Sequence, residues 1–72
     1  MKKNKQNSYI NNIRAERVRS GISQRDMAKS LGISTNAYNF KENGKRNFTL
    51  PEFILICELL KKRPEDILAE PS

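Results

Sequence analysis

The sequence contains no histidine and only one cysteine, Cys57, among its 72 residues. A single cysteine cannot form an internal disulfide, and no group of side chains has the spacing that a metal site requires. Cys57 falls on the predicted core face of a helix, where cysteine usually behaves as a small buried apolar residue. Because no pair of carboxylates is placed for acid–base chemistry either, an enzyme is the least favoured class of protein.

Long hydrophobic runs are also missing. The longest, 53–57, has five residues, which is far too short to span a bilayer. The lysine-rich start of the chain is not followed by the apolar stretch of a secretory signal. No predicted helix combines a basic face with a large exposed apolar face, as a membrane-surface helix would. We therefore expect a protein of the reducing cytoplasm, without a membrane partner, a cofactor or a small-molecule ligand.

The length and composition indicate one small folded domain. A chain of 72 residues supports a modest core, and a content of 36% hydrophobic and 31% charged residues fits a globule better than a disordered chain. The asparagine-rich start predicts a flexible arm over 1–8. The domain itself should span 9–68, followed by a short tail at 69–72.

The formal net charge of +6 is distributed unevenly along the chain. Residues 1–46 hold eleven basic and three acidic residues, a balance of +8, and residues 47–72 hold three basic and five acidic residues, a balance of −2. Such a cationic surface suits nucleic acid, because displaced phosphate counterions drive binding. A protein that is merely basic explains the charge equally well.

Helix signals recur along the chain and nothing alternates with the period of a strand, so we predict an all-α fold of five helices. The expected helices are 11–19, about 24–31 after the cap Ser23, about 34–43 with the cap Ser34, about 50–62 after the cap Thr49, and a short one that opens at Pro64.

Hydrophobic spacing assigns faces to the first and fourth of these helices. On the first, Ile10, Ile13 and Val18 share an apolar face. The predicted core stripe of the fourth consists of Leu50, Phe53, Ile56, Cys57 and Leu60.

Two leucines of the fourth helix, Leu55 and Leu59, fall away from its core stripe. They are candidate dimer contacts, together with Ile67 and Leu68 of the last helix. Alternatively, the last helix folds back and covers them.

The turn between the second and third helices is too short for antiparallel packing. A short turn that contains glycine sets two helices at a steep angle, as in a helix-turn-helix. Gly32 stands where a positive φ is needed, Ala28 is small enough for close approach, and Ile33 and Tyr38 can fasten the third helix to the core. Any compact corner of two helices could use the same residues, so this spacing favours DNA binding only modestly.

A longer pattern is more specific. It consists of Arg17, Gln24, Ala28, Gly32-Ile33-Ser34, Tyr38 and Glu42-Asn43-Gly44-Lys45-Arg46. Over about 9–68 the chain resembles the Cro and repressor family of phages and of xenobiotic-response-type bacterial regulators. The segment 45–50 is similar to Cro-like proteins of Gram-positive phages and mobile elements. The resemblance implies a compact five-helix domain like that of lambda repressor, and a homodimer that forms in solution or only on DNA.

The same resemblance implies that helix 34–43 lies in the major groove of double-stranded DNA at an inverted-repeat operator. The side chains then expected to face base edges are Ser34, Thr35, Asn36, Asn39 and Phe40, with the two asparagines as leading readers of adenine. Those expected to hold phosphates are Gln24, Arg25, Lys41, Asn43, Lys45 and Arg46. The resemblance also implies a structural ion pair between Arg17 and Glu42.

Two questions stay open at this point. The family more often has a polar or basic residue where Phe40 stands and an apolar one where Lys41 stands. Phe40 could therefore meet a thymine methyl group, or it could pack inward while Lys41 reaches a phosphate. The expected function is repression of transcription, and the alternative is an antitoxin or protein-interaction module of the same fold. A module that contacts only protein should lack cationic residues around the third helix.

Overall fold

The computed structural model describes residues 5–69, with side chains from Tyr9 onward. Its five helices are α1 (Lys5–Arg19), α2 (Gln24–Leu31), α3 (Thr35–Glu42), α4 (Leu50–Leu60) and α5 (Pro64–Leu68). The described residues contain no strand, so the predicted all-α fold of five helices is confirmed. No helix in this part of the chain has the length and apolar character needed to cross a membrane.

The three central helices begin as their capping residues predict. Ser23, Ser34 and Thr49 each accept a hydrogen bond from the backbone N–H three residues further on. At α4 the carboxylate of Glu52 also accepts from the backbone N–H of Thr49 at 2.8 Å, which completes a capping box.

The first four helices end with one shared hydrogen-bond pattern. After α2, for example, the backbone N–H of Ile33 donates to the carbonyl of Ala28 and that of Gly32 donates to Lys29. This pair of bonds is a Schellman motif, which needs a left-handed residue just past the helix. Glycine takes that position after α1, α2 and α3, whereas Lys61 takes it after α4 with a φ of 58°.

The core joins the inner sides of all five helices. Ile13, Met27, Tyr38, Ile56 and Ile67 are almost completely buried there. The ring of Tyr38 packs against Phe48 in the loop after α3, with ring centroids 5.8 Å apart. The inner side of α3 is therefore attached to the domain, and its other side is left to solvent.

The start of α1 and the exposure of two apolar residues differ from expectation. α1 begins at Lys5 rather than Asn11, so residues 5–8 are helical, and the rest of the expected arm lies outside the described residues. Val18 is 61% exposed and Leu50 is 70% exposed, although hydrophobic spacing places each on the same helix face as buried residues. Both residues lie in a terminal turn of their helix, where neighbouring helices no longer cover the apolar stripe. Of the expected tail, 70–72 lies outside the described residues.

The expectation that Ile67 contacts a second copy is wrong, because its side chain is 1% exposed and belongs to the core. The short helix α5 is tied to α1 by Asn12, whose amide donates to the backbone carbonyls of Ile67 and Ala69 at 2.7 and 2.9 Å. This attachment turns Ile67 inward and leaves Leu68 exposed. Leu59 is half-buried against the core, and Leu55 stays exposed.

Replacing Lys61 by glycine should stabilise the domain. A left-handed backbone costs an L-residue roughly 1–2 kcal/mol, which the greater freedom of glycine in the unfolded chain only partly offsets. We expect Lys61→Gly to raise the free energy of unfolding, measured by urea denaturation, by about 0.5–1 kcal/mol. Lys62→Gly is the matched control and should lower it, since Lys62 does not have a positive φ. A loss of stability in Lys61→Gly would contradict strain at this position.

Candidate nucleic-acid interface

Glu42, the last residue of α3, is the centre of a buried polar network that joins three helices. Its carboxylate accepts hydrogen bonds from Arg17 Nε and Nη2 at 2.7 and 3.0 Å, from the Tyr38 hydroxyl at 2.7 Å and from the Gln24 amide at 2.8 Å. Arg17 also donates to the backbone carbonyl of Ile22 at 2.8 Å. Arg17 and Glu42 thus form a bidentate ion pair, and it fixes α3 against α1 and α2.

The network sets the protonation of its members. Burial acts to raise the pKa of the Glu42 carboxyl, but hydrogen bonds from Arg17, Tyr38 and Gln24 outweigh burial and hold that pKa below its ordinary value. Burial and the adjacent carboxylate raise the pKa of the Tyr38 phenol far above its ordinary value. Glu42 is therefore ionised at neutral pH, and Tyr38 stays a donor to it.

A chain of side-chain amides runs from this network to the outer side of α3. Because the Glu42 carboxylate only accepts, the NH₂ group of Gln24 must face it, and the Gln24 oxygen then accepts from Asn39 Nδ2 at 3.1 Å. The oxygen of Asn39 in turn accepts from Asn43 Nδ2 at 3.1 Å. Each amide is oriented by its neighbour, so the position of Asn39 depends on the buried carboxylate.

The predicted base readers are not equally accessible. Thr35, Asn36 and Phe40 are exposed, whereas Asn39 is half-buried within the amide chain. Ser34 is exposed, but its hydroxyl already accepts the capping hydrogen bond from Ala37. The outer side of α3 therefore offers Thr35, Asn36 and Phe40 as its most accessible side chains.

Phe40 and Lys41, although adjacent in the chain, differ in their exposure to solvent. Phe40 is 46% exposed, whereas Lys41 is only 8% exposed. The Lys41 ammonium lies 2.7 and 2.8 Å from the two carboxylate oxygens of Glu52. Lys41 is therefore not available as the phosphate contact expected from the sequence. Its ion pair instead ties the last turn of α3 to the first turn of α4.

Sequence reasoning missed two residues beside this surface. Glu52 completes the capping box of α4, and it also neutralises Lys41. Arg14 donates to the backbone carbonyl of Glu42 at 3.0 Å from a half-exposed position. A glutamate at the third position of α4 indicates a cap, but no local pattern marks its pairing with Lys41 or the contact of Arg14.

Exposed cations surround the ends of α3, and none of them forms an ion pair with another described residue. These residues are Arg25, Lys29, Lys45 and Arg46. A shallow groove of about 540 Å³ also lies between α2 and the start of α3, and its lining includes Arg25, Asp26, Lys29 and the caps Ser23 and Ser34. Exposed cations and helix N-termini are the groups that hold phosphate oxygens on nucleic acids.

The short turn at Gly32 joins α2 to α3, and α3 has a mainly polar outer side with cations beside it. These features are typical of helix-turn-helix DNA-binding domains. A family model described as helix-turn-helix matches residues 13–67, which is most of the chain. The chain belongs to the helix-turn-helix family and is, in general terms, a DNA-binding transcription regulator. No curated protein matches it.

Replacing Glu42 by glutamine should destabilise the domain and weaken its response to acid. At pH 7 we expect Glu42→Gln to lower the free energy of unfolding by about 3 kcal/mol, because Arg17 is left buried without a charge partner. The folded-state pKa of Glu42 is depressed, so its contribution is complete above the unfolded pKa of about 4.3 and is lost as the pH falls through the folded value. Urea denaturation at several pH values should show a smaller acid loss in the variant.

The acid response that remains in Glu42→Gln should belong to Glu52. Burial acts to raise the pKa of Glu52, but hydrogen bonds from Lys41 and the Thr49 backbone outweigh it and lower that pKa.

Glu16→Gln is the matched control for Glu42→Gln, since Glu16 pairs with the exposed Arg19 and should contribute at most about 1 kcal/mol. Equal losses in the two variants at pH 7 would contradict the central role of Glu42.

Proposed function

We propose that the protein represses phage or mobile-element genes by binding an inverted-repeat operator as a homodimer, with α3 in the major groove. The observation that carries the proposal is the two-sided character of α3. Its inner side is fixed by Tyr38 and Glu42, and its outer side exposes Thr35, Asn36 and Phe40. A helix that is held rigidly on one side and accessible on the other can present the same side chains to base edges at every encounter.

Asn36 is the leading base reader in this proposal. Its exposed amide can bond N6 and N7 of adenine together, and Thr35 beside it can offer a hydroxyl group or a methyl group. Asn39 is engaged with Gln24 and Asn43, so only one N–H and one lone pair remain for a base. Asn39 therefore reads a base from a fixed orientation, whereas Asn36 adapts to the base. Ser34 has a smaller part because its hydroxyl caps α3.

Phosphate contacts would come from both sides of α3. Arg25 and the remaining N–H of Gln24 lie at the start of α2, where free backbone N–H groups add to them. Asn43, Lys45 and Arg46 follow α3 and are exposed. Contacts on both flanks would fix the register of α3 in the groove.

The dimer is supported by exposed apolar side chains on α4 and α5. Leu50, Ile54, Leu55 and Leu68 are all exposed. Leu50 and Leu68 also line a groove of about 330 Å³, together with Tyr9, Phe48, Thr49 and Phe53. Large apolar side chains that are exposed together mark contact surfaces. A dimer would bring two copies of α3 to successive major grooves about 34 Å apart, where the bound protein occludes a promoter.

The apolar groove also supports the second candidate, an antitoxin or protein-interaction module. Such a partner would occupy the groove at Leu50 and Leu68, away from α3. An antitoxin that represses its own operon would use both surfaces. The exposed cations around α3 favour DNA, since a module that contacts only protein has no need of them.

Selection from random DNA duplexes tests the proposal. The purified protein should enrich an inverted repeat with half-site centres about 10 base pairs apart. Its affinity should fall roughly a thousandfold between 50 and 200 mM salt if a dimer makes about six phosphate contacts. Recovery of no enriched sequence would contradict a sequence-specific regulator, and an enriched sequence without symmetry would contradict the dimer.

Two lysines close together in the sequence should differ in their contribution to DNA binding. Lys45→Met should weaken binding to all sequences alike and make the slope of log affinity against log salt less steep, by about 2 for the dimer, since each protomer loses one phosphate contact. Lys41→Met should leave that slope unchanged, because Glu52 already neutralises Lys41. The slope is the suitable measurement, since it does not depend on the fraction of folded protein. Equal slopes in the two variants would contradict the assignment.

A further inference from the structure

Phe40 is the one exposed aromatic side chain among the described residues. Tyr38 and Phe48 are buried, and Tyr9 and Phe53 are half-buried against the core. A single exposed apolar residue is ordinary on a protein surface. This ring, however, lies on the outer side of the short helix α3, which otherwise exposes mainly polar groups.

The ring has no place in the core that it could turn into. Tyr38 and Glu42 fill the inner side of α3 toward α1 and α2, and Lys41 fills the side toward α4 through its ion pair with Glu52. The backbone carbonyl of Phe40 accepts from the N–H of Lys45 at 2.9 Å, which closes the end of the helix. The backbone beneath the ring is therefore fixed, and the ring stays on the outer side.

Phe40 lies between a residue proposed to contact bases and residues proposed to contact phosphates. Asn36 lies one helical turn earlier on the same side, and Lys45 and Arg46 follow the helix end. Residues four apart on a helix face have Cβ atoms about 6 Å apart. Since base pairs are stacked about 3.4 Å apart, the ring would meet a base within about two base pairs of the one that Asn36 contacts.

The major groove offers only one apolar group to such a ring. Guanine, adenine and cytosine present nitrogen and oxygen atoms there, whereas thymine presents a methyl group at C5 beside its O4. A phenyl ring neither donates nor accepts a conventional hydrogen bond, so it would desolvate the polar edge of guanine or cytosine without compensation. Contact with the thymine methyl group removes apolar surface of both partners from water.

We propose that Phe40 determines operator specificity by packing its ring against the 5-methyl group of a thymine in each half-site. The inference rests on the proposed function, because it requires α3 to lie in the major groove. It goes beyond that function by naming the chemical group that the ring recognises. Each half-site should then contain a required thymine within about two base pairs of the adenine that Asn36 reads.

Deoxyuridine provides the test, because it pairs as thymine does and lacks only the methyl group. In the operator obtained by selection, each thymine is replaced in turn by deoxyuridine, and the affinity of the full-length protein is measured. At one thymine of each half-site the affinity should fall about fourfold, which corresponds to the free energy of removing one methyl group from water. Phe40→Ala should bind more weakly and should not distinguish thymine from deoxyuridine there, whereas Asn36→Ala should keep the distinction.

A gain of binding gives a second measurement. When the required thymine is replaced by cytosine, affinity should drop, and 5-methylcytosine should restore about fourfold of it for the unmodified protein. Phe40→Ala should show no restoration, and Phe40→Leu should show part of it, since leucine keeps an apolar surface.

The experiments distinguish a failure of the role of Phe40 from a failure of the proposed function. If the protein binds its selected operator but deoxyuridine has no effect at any thymine, the role of Phe40 is overturned while the proposed function stands. The same conclusion follows if Phe40→Ala loses as much affinity as the unmodified protein at the same thymine. If selection enriches no sequence, the proposed function fails, and the inference fails with it. The deoxyuridine series needs only the unmodified protein, so it does not depend on the folding of a variant.

Discussion

The carboxylate of Glu42 is the constraint on which the arrangement of the first three helices depends. A charge that is almost completely buried is costly unless several donors surround it, and the observed arrangement brings Arg17, Gln24 and Tyr38 onto the same two oxygen atoms. Relative to an apolar core, such a pair adds little net stability. Its effect here is to disfavour other arrangements, since a rotation of α3 would move the charge away from its donors on α1 and α2.

The same constraint reaches the exposed outer side of α3, because α3 has only eight residues. A helix of this length is unstable alone, so tertiary contacts determine where its side chains lie. The carboxylate of Glu42 orients the amide of Gln24, which in turn orients the amide of Asn39. The ion pair of Lys41 with Glu52 holds the last turn of α3 against α4. Substitutions at buried residues such as Glu42 would therefore change the interface without any direct contact with DNA.

The sequence predicts the features that depend on neighbouring residues along the chain. Each cap needs only a hydroxyl group and the backbone N–H three residues on, so Ser23, Ser34 and Thr49 mark helix starts reliably. Helical periodicity predicts which residues share an apolar face, but it does not predict how much of that face other helices cover. Leu50 therefore lies on the predicted core stripe and is nevertheless exposed. Hydropathy also favours Phe40 inside and Lys41 outside. The structure reverses this order because Lys41 meets Glu52 across the loop, and a pairing of that kind has no local signal.

This reversal has consequences for both stability and specificity. Placing a lysine where an apolar side chain could be buried requires desolvation of a charge, which the ion pair with Glu52 offsets without adding much stability. Placing the phenyl ring outside forgoes the free energy of burying it in the core. Both effects lower the stability of a small domain, and under our proposal they place an apolar ring where it can contact a thymine methyl group in the major groove. A ring in the core would make the domain more stable, but it would remove from the outer side of α3 the ring that we propose to recognise the thymine methyl group.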